Sequence, residues 1–142
     1  MNKISLYDVA LKIASDAHKG QVDKAGVDYI QHPIYVASLV TDEKAKVVAL
    51  LHDVIEDSAY TLADLRAKGF TEEIVTAVAT LTKPKNVSYE DYLKKVKANS
   101  IARKVKLADL QHNSDLTRLS KVSEDDLKRV QKYQAAITFL KA

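Results

Sequence analysis

Four times in this chain a serine or threonine is followed three positions later by an aspartate: Ser5/Asp8, Thr61/Asp64, Ser88/Asp91 and Ser123/Asp126. At that spacing the hydroxyl can accept a bond from an orphan amide of a first helical turn, while the carboxylate sits at the positive end of the helix dipole. Behind Ser5 the apolar set Leu6, Val9, Ala10, Ile13 and Ala17 falls on one helix face. His32-Pro33 predicts another start, because proline fits the first helical position, where no amide partner is lost. Helices are accordingly predicted after Ser5, from His32, in a short stretch after Thr61 that ends at Gly69, and over 43–57, 71–82, 88–98, 101–113 and 123–141. Three glycines and two prolines in 142 residues are too few for a chain of many short strands and turns. The expected fold is all-α, one compact helical domain over 1–142 without repeats, low-complexity tracts or an interdomain linker.

Composition removes several functions. With no cysteine there is no disulfide framework, no thiolate zinc site and no thiol nucleophile. The longest apolar run, 47–51, is five residues, against about 20 for a membrane-spanning helix. The first residues lack the apolar stretch of a secretory signal, so a cytoplasmic location is expected. A net charge of +3 selects no partner. Four histidines remain to be explained.

Polar residues interrupt apolar faces in two places. The run Val47-Val48-Ala49-Leu50-Leu51 marks a central helix, yet it is followed at once by His52, Asp53, Glu56 and Asp57. Buried carboxylates are costly without a metal, a cation or a water-filled cleft. Adjacent helical residues point about 100° apart, so His52 and Asp53 suit one ion only if the helix end is adjusted. The second place is the stripe Ile101, Val105, Asp109, Asn113, Leu116, in which a carboxylate and an amide stand where leucines are expected. A basic neighbour is the simple alternative partner for Asp109. His32, at a helix start, is either a cap or a third component. Imidazole and carboxylate without sulfur form a donor set suited to manganese, iron or zinc, and spacing does not choose among them.

Four motifs in order carry a resemblance: Ala17-His18-Lys19-Gly20-Gln21, Tyr29-Ile30-Gln31-His32-Pro33, the segment from Ala49 to Asp57 that holds His52-Asp53 and Glu56-Asp57, and the segment from Val105 to Asn113 that holds Asp109. Together they resemble the HD-domain hydrolases of the RelA/SpoT type, in particular the small stand-alone alarmone hydrolases without a synthetase domain. The likeness runs from about residue 5 into the C-terminal helix. It implies a helical domain holding one divalent ion, most simply Mn2+, with His32, His52, Asp53 and Asp109 as ligands. The implied reaction removes the 3′-pyrophosphate of guanosine tetra- or pentaphosphate, with Glu56 and Asp57 as the catalytic pair. Lys24, Lys83, Asn113, Arg129 and Tyr133 match substrate contacts. His18 and His112 are read as supporting or core histidines.

Three positions depart from the family pattern. Asp23-Lys24 stands where an Arg-Lys pair is usual, Leu110 where a basic residue is common, and Asp28 where a proline is usual. A carboxylate in place of a guanidinium removes a stacking surface and reverses local charge, which predicts a relaxed or shifted base preference, towards adenine analogues for example. Two rivals remain. One is an HD phosphohydrolase of other nucleotides. The other is a non-catalytic nucleic-acid-binding or regulatory module using the clusters at 83–85, 94–97 and 103–106. Those lysines and arginine are interleaved with apolar positions and diluted by 19 acidic residues, so they read as solvated helix faces and no nucleic-acid partner is expected.

Overall fold

The computed structural model describes residues 5–23 and 25–142. Helices α1 (Leu6–Ala17), α2 (Gln31–Ser38), α3 (Glu43–Leu51), α4 (Val54–Asp57), α5 (Leu62–Ala67), α6 (Glu72–Leu81), α7 (Tyr89–Ala98), α8 (Ser100–Asn113) and α9 (Glu124–Lys141) follow one another, with a 3-10 turn at Leu116–Arg118. Among the described residues the only β pairing is the single antiparallel bridge Val22↔Asp28, so the all-α expectation holds. Ser5, Thr61, Ser88 and Ser123 each accept a bond from the backbone N–H of the aspartate three residues on. At Thr61 and Ser123 the aspartate returns the bond, closing a capping box. Thr71 and Asn99 cap α6 and α8 in the same way, and Asp42 caps α3 by accepting from the amide two residues on, but none of the three has the hydroxyl-x-x-Asp spacing. The chain leaves α5 through Gly69 at φ 95°, a left-handed backbone that glycine adopts without steric cost.

The centre of the molecule is α3. Ala45 and the whole run Val47–Leu51 are buried, and this helix packs against α1, α2, α6 and α8. Leu50, Leu51, Val78, Val105, Leu110 and Leu140 belong to one contiguous apolar cluster drawn from α1 through α9. Each fully buried leucine contributes roughly 1.5–3 kcal/mol by leaving water.

Two predicted boundaries move. Helix α2 starts at Gln31, so Pro33 is its third residue rather than its first. Proline is tolerated there because first-turn amides have no helical acceptor. The predicted continuous helix over 43–57 is broken: α3 ends at Leu51 and α4 restarts at Val54. At the break His52 Nδ1 donates to the Ala49 carbonyl (2.5 Å), the acceptor that an unbroken helix offers to the Asp53 amide. Asp53 sits at φ −105°, ψ −2° and restarts the ladder through its carbonyl, which accepts from Asp57 N–H (3.0 Å). The break is the adjustment of the helix end that lets two consecutive side chains aim at one point.

Candidate metal centre and its two cavities

His32 from α2, His52 and Asp53 from the α3–α4 break, and Asp109 from α8 each bring one donor atom into a cluster whose members lie within 4.8 Å of one another. Their neighbours orient them. Because a carbonyl can only accept, the bond to Ala49 puts a proton on His52 Nδ1 and leaves Nε2 as the atom facing the cluster. That Nε2 is 3.0 Å from Asp53 Oδ2 and 3.3 Å from Asp109 Oδ1, close charge contacts, yet it is buried without an aligned hydrogen-bond partner. His32 Nε2 lies 2.7 Å from Asp109 Oδ1, and its Nδ1 lies 2.7 Å from His112 Nδ1. Tyr29 donates its hydroxyl to Asp53 Oδ2 (2.5 Å). Lys106 donates to Asp109 Oδ2 (3.1 Å), and Asn113 donates its amide to Oδ1 (3.1 Å).

The electrostatics of the cluster call for positive charge. Burial opposes ionisation of Asp53, but His52 and the Tyr29 hydroxyl overcome it and hold the carboxyl at about 2. Asp109 is held well below the carboxylate range against burial, by Lys106 first and then His32 and His52. Burial also opposes charge on His52, but Asp53 and Asp109 raise it well above its ordinary value. A proton on His52 thus supplies part of the charge that a divalent ion would supply between two ionised carboxylates. The orphaned, buried Nε2 and the sulfur-free nitrogen/oxygen donors fit a divalent cation. His112 is pushed down to about 4 by burial, Arg118 and His32, so at neutral pH it is uncharged and its Nδ1 can accept a hydrogen bond from His32 Nδ1–H.

A cavity opens on either side of the cluster. The first, about 350 Å³, is reached by His32 and Asn113 and is walled by Asp23, Arg118, Arg129 and Tyr133. The second, about 370 Å³, is lined by His52, Asp53 and Glu56 together with Lys83, Lys106 and Lys132. Asn113, Arg129 and Tyr133 therefore share one cavity, and Lys83 belongs to the other. Arg129 is engaged by Asp126 of the α9 capping box. Lys24 lies outside the described residues.

Glu56 and Asp57 diverge. Glu56 Oε1 accepts from the Lys83 backbone N–H (2.7 Å) and borders the lysine cavity. Asp57 lines neither cavity; its backbone carbonyl accepts from the Gln21 side chain (3.1 Å). Burial, with Asp53 nearby, raises both carboxyls above their ordinary values. His18 is buried against the Tyr29 ring and bonded through Nδ1 to Gln21 Oε1 (3.0 Å), a supporting position.

Tyr29, Lys106 and Arg118 carry roles that sequence reasoning did not assign. Tyr29 stood inside a quoted motif. Lys106 is three residues before Asp109 on one helix face, which was the available signal; it is the basic neighbour weighed as the alternative partner for that aspartate. Both the four-donor cluster and the lysine contact are therefore present. Arg118 pairs with Asp23 across 95 positions of sequence, and no local pattern marks it.

The class defined by fold and site agrees with the comparisons: residues 10–135 match the family model described as HD domain, and the chain belongs to that family. It is 37% identical over 134 residues to a guanosine-3′,5′-bis(diphosphate) 3′-pyrophosphohydrolase of Haemophilus influenzae, covering 84% of this chain and 20% of that protein. It is 33% identical over 135 residues to the bifunctional (p)ppGpp synthase/hydrolase SpoT of Escherichia coli K12, covering 85% of this chain and 19% of that protein. The chain thus spans about one fifth of the length of these curated relatives. A solved structure described as "A metazoan ortholog of SpoT hydrolyzes ppGpp and plays a role in starvation responses" shares the fold, with a TM-score of 0.75 at 22% identity over 99% of this chain and 87% of the other. No helix among the described residues is long and apolar enough to cross a membrane.

Proposed function

We propose that this chain, as a single HD-type domain, hydrolyses the 3′-pyrophosphate of guanosine tetra- or pentaphosphate and releases pyrophosphate with GDP or GTP. The observation that carries the reading is the four-donor cluster His32, His52, Asp53 and Asp109 lying between a nucleoside-sized cavity and a cavity lined by three lysines. The named activities of the relatives support it. Manganese is the ion proposed because the family resemblance implies it; the thiolate-free set of two imidazoles and two carboxylates accommodates it, as it would iron or zinc. When bound, such an ion supplies Lewis acidity and a water of lowered pKa.

The chain's own residues do the rest. Lys83, Lys106 and Lys132 offset phosphate charge in their cavity. Glu56 borders that cavity, and its raised pKa brings it closer to the range in which a carboxylate accepts a proton from water near neutral pH. Asp57 lines neither cavity; its charge, next in sequence to Glu56 and near Asp53, is proposed to support Glu56 in that role. Asn113, donating to Asp109, holds that carboxylate while facing the nucleoside cavity. Arg129 and Tyr133 are one turn apart on α9 and reach the same ligand; Lys24 is proposed as a further substrate contact.

The test is an assay of the manganese-loaded protein with guanosine 3′,5′-bis(diphosphate), other nucleotides and a dinucleotide. Pyrophosphate and GDP should appear only with the metal. Glu56→Gln and Asp57→Asn should bind the nucleotide and turn it over poorly; full rates in both would refute the assigned mechanism. Metal-independent binding of DNA or RNA with a steep salt dependence would favour the nucleic-acid module instead.

A further inference from the structure

The first cavity is electrostatically unlike the second. Asp23, Asp115 and Asp126 line it against two guanidiniums, Arg118 and Arg129, and both guanidiniums are already paired, with Asp23 and Asp126. The rest of its wall includes Val22, Leu116, Leu119 and Val130. An anion gains little there, whereas an uncharged flat ring finds apolar walls and fixed polar groups. Positive side chains gather on the other side of the four-donor cluster, where Lys83, Lys106 and Lys132 line the second cavity.

Arg118 is held in that wall at two points. One terminal nitrogen donates to Asp23 Oδ2 (2.6 Å) and the other to the His112 carbonyl (3.4 Å). Asp23 is itself immobilised: its Oδ1 accepts from the backbone N–H groups of Ala25 (2.8 Å) and Val27 (3.0 Å). With both its oxygens engaged, and a side chain only 14% exposed, Asp23 is a positioning residue. A guanidinium has five N–H donors, so Arg118, 28% exposed, keeps three to offer.

We propose that Arg118, held in place by Asp23, is the base-selecting residue of the nucleoside cavity and favours a purine with a carbonyl at position 6 over one with an amino group there. A guanidinium only donates. Guanine and hypoxanthine present two acceptors side by side, O6 and N7, which suit its planar fork, whereas adenine sets an amino donor beside N7. The carboxylate at position 23 thus does not leave the cavity without a guanidinium, because the fold brings one from the 3-10 turn. The inference rests on the nucleotide-hydrolase reading but is separable from it.

The experiment compares the guanosine, inosine and adenosine 3′,5′-bis(diphosphates) in two arms: kcat/KM with Mn2+, and calorimetric binding in EDTA, where hydrolysis is off. The wild-type chain should favour guanosine and inosine alike over adenosine. Arg118→Ala should shrink that preference on the order of ten- to a hundredfold, the worth of one bidentate base contact. Asp23→Asn keeps an acceptor for the Ala25 and Val27 amides and should lose part of the preference. Arg118→Lys keeps the ion pair, so it carries the test if the alanine variant fails to fold, and it should lose most of the preference because it cannot fork. An unchanged base ratio in Arg118→Ala or Arg118→Lys with a normal melting temperature overturns the inference, as does wild-type binding that treats adenosine and guanosine alike. Base-selective binding lost in Arg118→Ala, with no turnover of any nucleotide, would support this inference and overturn the hydrolase reading.

Discussion

Lys106→Met isolates the electrostatic logic of the cluster. Lys106 has a side chain 17% exposed, lies 3.1 Å from Asp109 Oδ2, and rests its ammonium 5.4 Å from the Tyr92 ring centre. Breaking a buried pair by removing one partner costs roughly 3–5 kcal/mol, because the remaining charge is stranded. Asp109 keeps His32 and Asn113 on Oδ1, and methionine preserves most of the packed stem, so the lower end applies: about 3 kcal/mol for the metal-free protein. At roughly 3–4 °C per kcal/mol for a domain of this size, the melting temperature in EDTA should fall by about 10 °C. With saturating Mn2+ the loss should be smaller, because an ion at the cluster compensates the same carboxylate. Thermal unfolding by circular dichroism, in EDTA and in Mn2+, measures both numbers. A metal-free loss below about 1 kcal/mol, or equal losses in the two conditions, would refute the claim that Lys106 and the ion share Asp109.

Three further outcomes follow from particular contacts. Tyr29→Phe removes the hydroxyl that donates to Asp53 and should weaken Mn2+ binding by roughly 10- to 100-fold in a competition titration, with folding intact. His112 is held neutral to about 4 in the folded state, so the unfolded chain binds more protons below pH 6.5; metal-free stability should fall as pH drops from 6.5 towards 4, and His112→Gln should flatten that slope in pH-dependent urea melts. Ser123→Ala deletes half of the capping box of α9 and should cost about 1 kcal/mol in chemical denaturation, whereas Ser123→Asp should retain most of it.

The four members of the donor cluster could be named before the fold was known, but how they meet, and what surrounds them, could not. Asp109 and Asn113 betrayed themselves by sitting on an apolar stripe, and His52-Asp53 by ending an apolar helix. That His52 and Asp53 converge required a break at residue 52, invisible to periodicity because the residues on both sides, Leu51 and Val54, are buried apolar residues that continue the pattern. Glu56 and Asp57 read as one pair along the sequence; on the single turn of α4 the Glu56 carboxylate meets the Lys83 N–H and borders the lysine cavity, while Asp57 lines neither cavity.

Local signals thus determined the helices, because a cap needs only a hydroxyl and an amide three residues apart and a core helix needs only a repeating apolar face. The same signals determined that carboxylates and imidazoles would be buried. Lys106 and Asp109 pair within one helix, but tertiary structure alone decided Tyr29 for Asp53, His112 for His32, and Arg118 for Asp23. Three of these four pairs join elements far apart in the chain. Charge and hydrogen bonding act over a few ångströms of space, and sequence records distance along the backbone instead.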